Sequence, residues 1–372
     1  MNTFIIKNKL FVIGVLCYLF LLLLAGIYYK ERIIFTDTSF YLYSIIKNKS
    51  FCIQHNRFGA ICTQLLPFIA IKLGLSLKIV AIIYSESIII FYFLVFLIII
   101  KYFKNQKLAL VWLGFNTLIV SHSFYWMLSE LPQAVALFFI YFTLLNNVLL
   151  EEKTPIYFYP IALLLLVTVC FTHPLVLFVE IFTLIFFILH QPLKKKIISW
   201  NLATILVILL IKSFYFKTEY DTNAMSGIVN IYKLFPNYFN LQSNKNFIQY
   251  LIHDFYFIFF LFLLVFIFQI RYKQYKKLLF TILFSFGYLL LVNISYRDGT
   301  NQFYIETQYL LLTVFGLIPF PFDVFPKIKS VHKYTAVGFI LVFCIIRIAH
   351  SHEIFTQRIQ WERNLLSKTE TL

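Results

Sequence analysis

Long apolar runs separated by short polar gaps dominate the chain. The first run, Leu10 to Tyr29, contains no charged side chain. A helix needs about 20 apolar residues to cross the ~30 Å hydrocarbon core of a bilayer. The runs are continuous rather than alternating, so they predict helices and not the strands of a closed barrel. About eleven transmembrane helices are predicted, at roughly residues 9–29, 78–100, 107–122, 130–148, 156–172, 174–190, 197–213, 252–270, 278–296, 304–320 and 334–349.

Composition agrees with this pattern. The chain is 61% hydrophobic, 20% aromatic and 13% charged, whereas soluble domains are about 45–50% apolar and about 25% charged. No short repeat or low-complexity tract divides it. We therefore expect an all-α polytopic membrane protein in which residues 1–372 form one multi-pass domain.

Basic residues mark one face of the membrane. The net charge of +16 comes from Lys and Arg in the short gaps, such as "KYFKNQK", "LKKK", "RYKQYKK" and "KIKSVHK". These gaps fall on one side of the predicted helices, and the positive-inside rule assigns that side to the cytoplasm. We expect a cytoplasmic N-terminus, an extracytoplasmic C-terminus and no nucleic-acid partner. Abundant Phe, Ile, Lys and Asn indicate an AT-rich genome and favour a bacterial inner membrane.

The opposite face receives longer segments at 30–77, 214–251 and 295–306, which carry many of the acidic residues. Within "DTSFYLYSIIKN", Asp37 and Tyr41 share one helical stripe, which predicts an amphipathic helix lying along the membrane surface. Residues 57–75 are short for a span and contain a proline. We expect them to dip into the outer leaflet, and a complete span remains the alternative.

Two acids on this face are candidates for catalysis. Asp37 follows the first span directly, and Glu130 precedes Pro132 at the start of the fourth. A carboxylate at headgroup depth can take a proton from an acceptor while a sugar–phosphate bond breaks in a lipid-linked donor. The structural alternative for each acid is a helix cap or a first-turn acid that interacts with the helix dipole.

The order of these features resembles the GT-C class of membrane glycosyltransferases, in particular its protein-mannosyltransferase-like branch. The resemblance lies in "FTDTSFYLYSII" with Asp37, "LSELPQAVALFF" with Glu130, and "RFGAICTQLLPFIAIKLGLS" before the second long span. It implies amphipathic juxtamembrane helices in the first extracytoplasmic loop. It also implies an inverting enzyme that uses Asp37 as base and Glu130 to orient the acceptor or the base.

Five residues are candidates for substrate binding. Arg297 in "SYRDGTNQFYIE" is the first choice for a phosphate ligand, and Arg57 is the second, because a departing phosphate needs cations. His173 in "FTHPLV" matches a position where the resembling enzymes carry a basic residue beside proline. Glu306 and Tyr309 resemble an acidic–tyrosine signature near the lipid phosphate in those enzymes. Solvated ion pairs, a structural turn and lipid anchoring are the alternative roles.

The expected donor is a polyprenyl-phosphate sugar. The chain contains no P-loop, GxGxxG or HExxH motif, and the cytoplasmic gaps are too short for a nucleotide site. No cofactor or metal site is predicted, and a need for a divalent cation stays open. The expected partners are the donor, membrane lipids, and an acceptor that is a glycan, a lipid or a protein. We expect a role in cell-envelope glycan or glycoconjugate synthesis.

Other functions and one covalent link also stay open. A transporter or flippase for a lipid-linked glycan would place its site near the membrane midplane. A polymerase or ligase of the O-antigen type would carry arginines in a late loop. Cys52 and Cys62 can form a disulfide or stay as free thiols.

The predicted topology can be tested with reporters fused after Leu372. We expect a reporter that matures only outside the cytoplasm to be active there, because the predicted number of spans is odd. A cytoplasmic fluorescent reporter at the same position should stay dark. The reverse result would remove the shared face predicted for Asp37 and Glu130.

Overall fold

The computed structural model describes residues 9–127, 130–150, 155–191, 195–216, 237–299 and 302–370. Within these ranges all regular structure is helical. Seven helices are long and apolar enough to cross a membrane, or eight if the bent pair Gln242–His253 and Tyr256–Arg271 counts as one span. The predicted all-helical class is confirmed, together with several helices long and apolar enough to cross a membrane. The count of eleven spans stays a prediction, because Phe158–Thr172 and Val176–His190 are shorter apolar helices.

The α-helices are numbered in chain order. They are α1 Lys9–Ile27, α2 Tyr29–Ile33, α3 Thr36–Asn48, α4 Ile61–Lys72, α5 Leu77–Leu97, α6 Gln106–Phe115, α7 Leu131–Leu150, α8 Phe158–Thr172, α9 Val176–His190, α10 Lys195–Tyr215, α11 Gln242–His253, α12 Tyr256–Arg271, α13 Tyr275–Ser295, α14 Gln302–Leu317, α15 Ser330–His350 and α16 His352–Glu370. Short 3₁₀ or π turns lie at Phe58–Ala60, Ile98–Tyr102, Ser121–Tyr125, Asn237–Asn240, Phe320–Val324 and Phe325–Lys327.

Helices α7 and α14 form the centre of the bundle, and their side chains are almost all buried. Helices α1, α10, α13 and α15 lie outside them and expose large apolar side chains, for example Leu23 and Phe339. Such exposure would be unfavourable in water but is what a lipid-facing surface requires. The central helices are therefore buried in protein and the outer ones face lipid.

Arg32, in α2, is fully buried at one end of the bundle. Its Nε donates to Ser85 Oγ at 2.8 Å, its Nη2 donates to Ser85 O at 3.0 Å, and its Nη1 donates to Phe124 O. The guanidinium also lies 4.2 Å from the Phe124 ring centroid. These contacts join the end of α1–α2 to α5 and to the turn before α7. They fix the point where α3 begins.

A second charged contact lies at the 88° bend between α11 and α12. The Asp254 carboxylate accepts hydrogen bonds from Val120 N at 2.8 Å and Ser121 N at 2.9 Å. Arg347 of α15 donates to Asp254 Oδ1 at 2.8 Å. The bend therefore stays close to the segment after α6 and to the end of α15. We call this end of the bundle, which also carries Asp37, the Asp37 end.

The opposite end carries a buried charged cluster that the sequence did not suggest. Lys277 Nζ donates to Asp323 Oδ1 at 2.5 Å and lies 2.8 Å from His190 Nδ1. Gln269 Nε2 donates to Asp323 Oδ2 at 3.1 Å. The cluster joins α9, α12, α13 and the turn after α14. We call this end, which the positive-inside rule assigns to the cytoplasm, the Lys277 end.

The predicted surface helix is α3. Tyr41 is almost fully buried, whereas Phe40 and Tyr43 are exposed, so the helix is amphipathic as predicted. The proline-containing piece appears as a short apolar helix at Phe58–Lys72. Most of the predicted loop 214–251, with residues 217–236, lies outside the described residues, as do residues 300 and 301 of the loop 295–306.

The Lys277 cluster predicts a stability effect. In Lys277→Met the buried Asp323 loses its cation, and breaking a buried pair in this way costs about 3–5 kcal/mol. We expect a clear fall in the thermal unfolding temperature in detergent. The exposed neighbour Lys276 gives the matched control, and Lys276→Met should change little. Adding Asp323→Leu to Lys277→Met should recover most of the loss, and no recovery would contradict the pairing.

Candidate functional site

Glu130 lies directly before α7 and is held by two residues from the 30–77 segment. Arg57 Nη1 lies 3.5 Å from Glu130 Oε2, and both side chains are largely buried. Tyr41 in α3 donates its hydroxyl hydrogen to Glu130 Oε1. A carboxylate paired in this way is fixed in position. Contacts from α3 and from the turn at Arg57 therefore converge on the start of α7.

Asp37 is the second residue of α3 and is half-buried. The residue before the helix is Phe35, and no side chain caps it, so the helix-cap alternative for Asp37 is wrong. Burial raises the pKa of the Asp37 carboxyl above its ordinary value, the carboxylate of Glu130 raises it further, and Arg57 opposes the rise. Asp37, Glu130 and Arg57 therefore share one electrostatic environment.

The start of α3 is fixed against the segment that leads to Glu130. Thr38 Oγ1 donates to Met127 O at 2.6 Å. The ring of Phe35 stacks on Trp126, with centroids 5.1 Å apart. Asp37 lies between these two anchors in the sequence, so its position is set by contacts on both sides.

Arg57 is presented by a constrained turn. The two preceding residues, His55 and Asn56, have φ values of 49° and 60°, in the left-handed region that non-glycine residues seldom adopt. Gln64 of α4 pairs with the backbone of Cys52 at 2.8 Å in both directions. Unusual backbone conformations held by such contacts are frequent at functional sites. Cys52 and Cys62 are free thiols in the structure, so the disulfide alternative is wrong.

His173 lies beside this turn. A Cβ atom at Gly59 would overlap the side chain of Thr172, so the chain after Arg57 passes directly against the end of α8. His173 Nδ1 accepts a hydrogen bond from Leu175 N at 3.2 Å. Burial, and then the charges of Arg57 and Lys212, hold the pKa of His173 well below its usual range. The ring is therefore neutral at neutral pH, and its proton is on Nε2.

Lys212 lies in the last turn of α10, a position where lysine usually anchors a helix at the membrane interface. Lys212 is buried, and its Nζ donates to Cys170 O at 2.9 Å. It turns into the protein because α10 packs against α8 at this level. It adds positive charge near His173.

A second buried pair lies at the same end of the bundle. His122 Nε2 is 3.5 Å from Glu306 Oε2, and His122 Nδ1 is 3.3 Å from Thr307 Oγ1. The His122 ring also packs edge-on against Trp126 at 4.7 Å. Trp126 contacts Phe35 in turn, so this pair is joined to the start of α3. Nothing in the sequence pattern singled out His122, because it lies in an ordinary-looking turn.

The other two candidates lie apart from Asp37. The Arg297 side chain is 59% exposed, and its Nε is 3.7 Å from Asp298 Oδ1. Tyr309 is fully buried; its hydroxyl donates to Asn293 Oδ1 and lies 3.5 Å from Ser243 O. The structure thus brings Arg57 to the two acids, whereas Arg297 forms a solvated pair and Tyr309 joins α14 to α11 and α13.

Known proteins give no template for this site. No protein-family model, curated protein or solved structure matches the chain. Across the described ranges, no group of three or more His, Cys, Asp and Glu side chains converges on a point that a metal could occupy. The chemistry available at the site is that of two carboxylates, one guanidinium and one neutral imidazole.

Proposed function

We propose that the chain is a membrane glycosyltransferase that transfers a sugar from a polyprenyl-phosphate donor to an acceptor at the Asp37 end of the bundle. The observation that carries the proposal is that Arg57 pairs with Glu130 and that the charges of both act on Asp37. A half-buried carboxyl in the field of a buried arginine supplies both a base and a phosphate ligand. These are the two groups that such a transfer requires.

In the proposed reaction an acceptor hydroxyl oxygen attacks the anomeric carbon of the donor sugar. Asp37 takes the proton from that hydroxyl while the bond between the anomeric carbon and the phosphate oxygen breaks. The bonding electrons leave with the polyprenyl phosphate, and attack from the opposite side inverts the anomeric centre. The raised pKa of Asp37 makes it a stronger base than an ordinary aspartate once it is ionised.

The leaving phosphate needs compensation for the charge that develops on it. Arg57 supplies a permanent cation in a largely buried position, where the low dielectric strengthens its effect. His173 supplies a neutral Nε2–H donor in the same region. Glu130 and Tyr41 act as positioning residues. Glu130 pairs with the Arg57 guanidinium, and Tyr41 holds the Glu130 carboxylate in place.

The position of these groups favours an enzyme over a transporter. Asp37 is the second residue of a surface helix, and Glu130 lies immediately before α7. Transporter sites are typically found near the midplane, at broken helices. A polyprenyl-phosphate donor cannot leave the bilayer, so its headgroup stays at the membrane surface. Both acids lie at helix starts, where they could reach such a headgroup.

The first test is Asp37→Asn. Since Asp37 is not a helix cap, Asn should cost the fold little beyond the dipole interaction of a first-turn acid, about 0.3–1 kcal/mol. If Asp37 is the base, transfer should fall by roughly 100-fold or more. The measurement is turnover of a panel of radiolabelled polyprenyl-phosphate hexoses by purified protein, alongside thermal stability.

The exposed Asp298 gives the control for this test, and Asp298→Asn should keep the parent rate. A stable Asp37→Asn protein with unchanged turnover would end the catalytic role of Asp37.

The second test compares Arg57→Gln with Arg297→Gln. Loss of a charge-assisted contact to the phosphate should cost about 2–4 kcal/mol in the transition state, or about 30- to 1000-fold in kcat/KM. We expect this loss for Arg57 and a near-normal rate for the exposed Arg297. Because Arg57 lowers the pKa of Asp37, its removal should also move the acid limb of the pH–rate profile to higher pH.

Arg57→Lys controls for charge in this comparison. It should restore the position of the acid limb and only part of the rate, since Lys lacks the planar fork of Arg. A large loss in Arg297→Gln together with normal Arg57→Gln would transfer the phosphate role to Arg297.

A further inference from the structure

An apolar groove lies between α12 and α15 and is floored by α6. Its volume is about 280 Å³. The lining side chains are apolar apart from one lysine; six that define it are Gly114, Phe260, Leu264, Lys333, Ala336 and Ile340. We call it the α12–α15 groove. It is separate from the cluster at Asp37 and shares no residue with it.

The groove extends from Leu118 and Phe257, close to the Asp254 bend, to Lys333 near the Lys277 end. Beside the bend, Phe257 of α12 meets Phe343 of α15, with ring centroids 5.8 Å apart. Along α15 the groove continues from Leu341 to Lys333. Eight residues of helix span about 12 Å, which is most of the ~15 Å depth of one leaflet. The groove therefore follows the direction of a lipid chain.

The end of the groove near Lys333 is basic. Lys333 lies there, with its Nζ 4.9 Å from the Phe325 ring, and Lys327 is 4.7 Å from the ring of Tyr272. The sequence "KIKSVHK" at 327–333 contains three lysines, one histidine and no acid. The neighbouring acid, Asp323, is bonded to Lys277 and Gln269. Positive charge at the mouth of an apolar groove matches the phosphate of a membrane lipid.

The chemistry of the groove selects the occupant. An apolar lining that ends at a lysine fits a molecule with an apolar chain and an anionic headgroup, which is the chemistry of an anionic phospholipid. Burial of its chain is favourable because the chain fills a space that would otherwise be void.

We propose that the α12–α15 groove binds one acyl chain of an anionic phospholipid from the leaflet at the Lys277 end, with the phosphate beside Lys333. This site is independent of the proposed transfer reaction, because it shares no residue with the cluster at Asp37. The lipid acts as a structural ligand that fills the gap between α12 and α15.

The test uses phosphatidylglycerol and phosphatidylcholine with a photoreactive diazirine in the acyl chain. Full-length protein in detergent is irradiated with each lipid, and labelled peptides are identified by mass spectrometry. We expect labelling of α12 and α15 at the positions facing the groove, several-fold stronger with phosphatidylglycerol. Ala336→Trp should fill the groove and reduce this labelling at least five-fold.

Phe339→Trp is the matched control, because Phe339 lies on the same helix and is 77% exposed. It should leave groove labelling unchanged. Lys333→Gln should remove the preference for phosphatidylglycerol while labelling by phosphatidylcholine persists. If Ala336→Trp does not elute as a single species, Leu264→Trp fills the groove from the opposite helix.

Three results would overturn the proposal. The first is equal labelling in the parent protein and in a well-folded groove-filling variant. The second is equal labelling by the two lipids in the parent. The third is a cross-link between two copies of the chain through α12 or α15, which would make the groove an interface.

Discussion

Burial of the Arg32 guanidinium is the interaction on which the Asp37 end depends. A charged group in the bundle must have its donors satisfied, since unpaired charge in a low-dielectric interior costs several kcal/mol. Arg32 meets this requirement by bonding to Ser85 and to the carbonyl of Phe124, and Ser85 in turn donates to Ala25 O at 2.8 Å. The end of α1, the middle of α5 and the turn before α7 are thereby held together. Helix α3 leaves this junction in a fixed direction, which places Asp37.

Three buried carboxylates are also paired with cations, but they differ in how much hydrogen-bonding capacity they have left. Asp323 is surrounded by Lys277, His190 and Gln269. Asp254 is saturated by two backbone N–H groups and Arg347. Both clusters join helices, and their carboxylates have little capacity left to accept further hydrogen bonds. At Glu130 the arrangement is different, because the charges of Glu130 and Arg57 both act on a half-buried carboxyl, Asp37. That asymmetry is why the chemistry is proposed there and not at the other two clusters.

The two ends of the bundle differ in the chemistry they present. At the Asp37 end, carboxyl groups lie at the starts of α3 and α7, where the transfer is proposed. An apolar groove lies between α12 and α15 and ends at lysines near the Lys277 end. Apolar surface in a membrane gains little by packing against protein rather than lipid, which is why an acyl chain is the proposed occupant.

The sequence by itself determined the class of the protein, because continuous apolar runs in lipid must form helices that satisfy their own backbone hydrogen bonds. It also identified Asp37, Glu130 and Arg57 as residue types suited to sugar transfer, and the stripes of α3 followed from a 3.6-residue period. The tertiary structure decided which of the candidates meet. Arg57 and Arg297 look alike in the sequence, but a turn with two left-handed residues directs Arg57 to Glu130, whereas Arg297 is left with Asp298 at the surface. His122 and Asp323 could not be recognised beforehand, since their partners are distant along the chain and only helix packing brings those charges within reach.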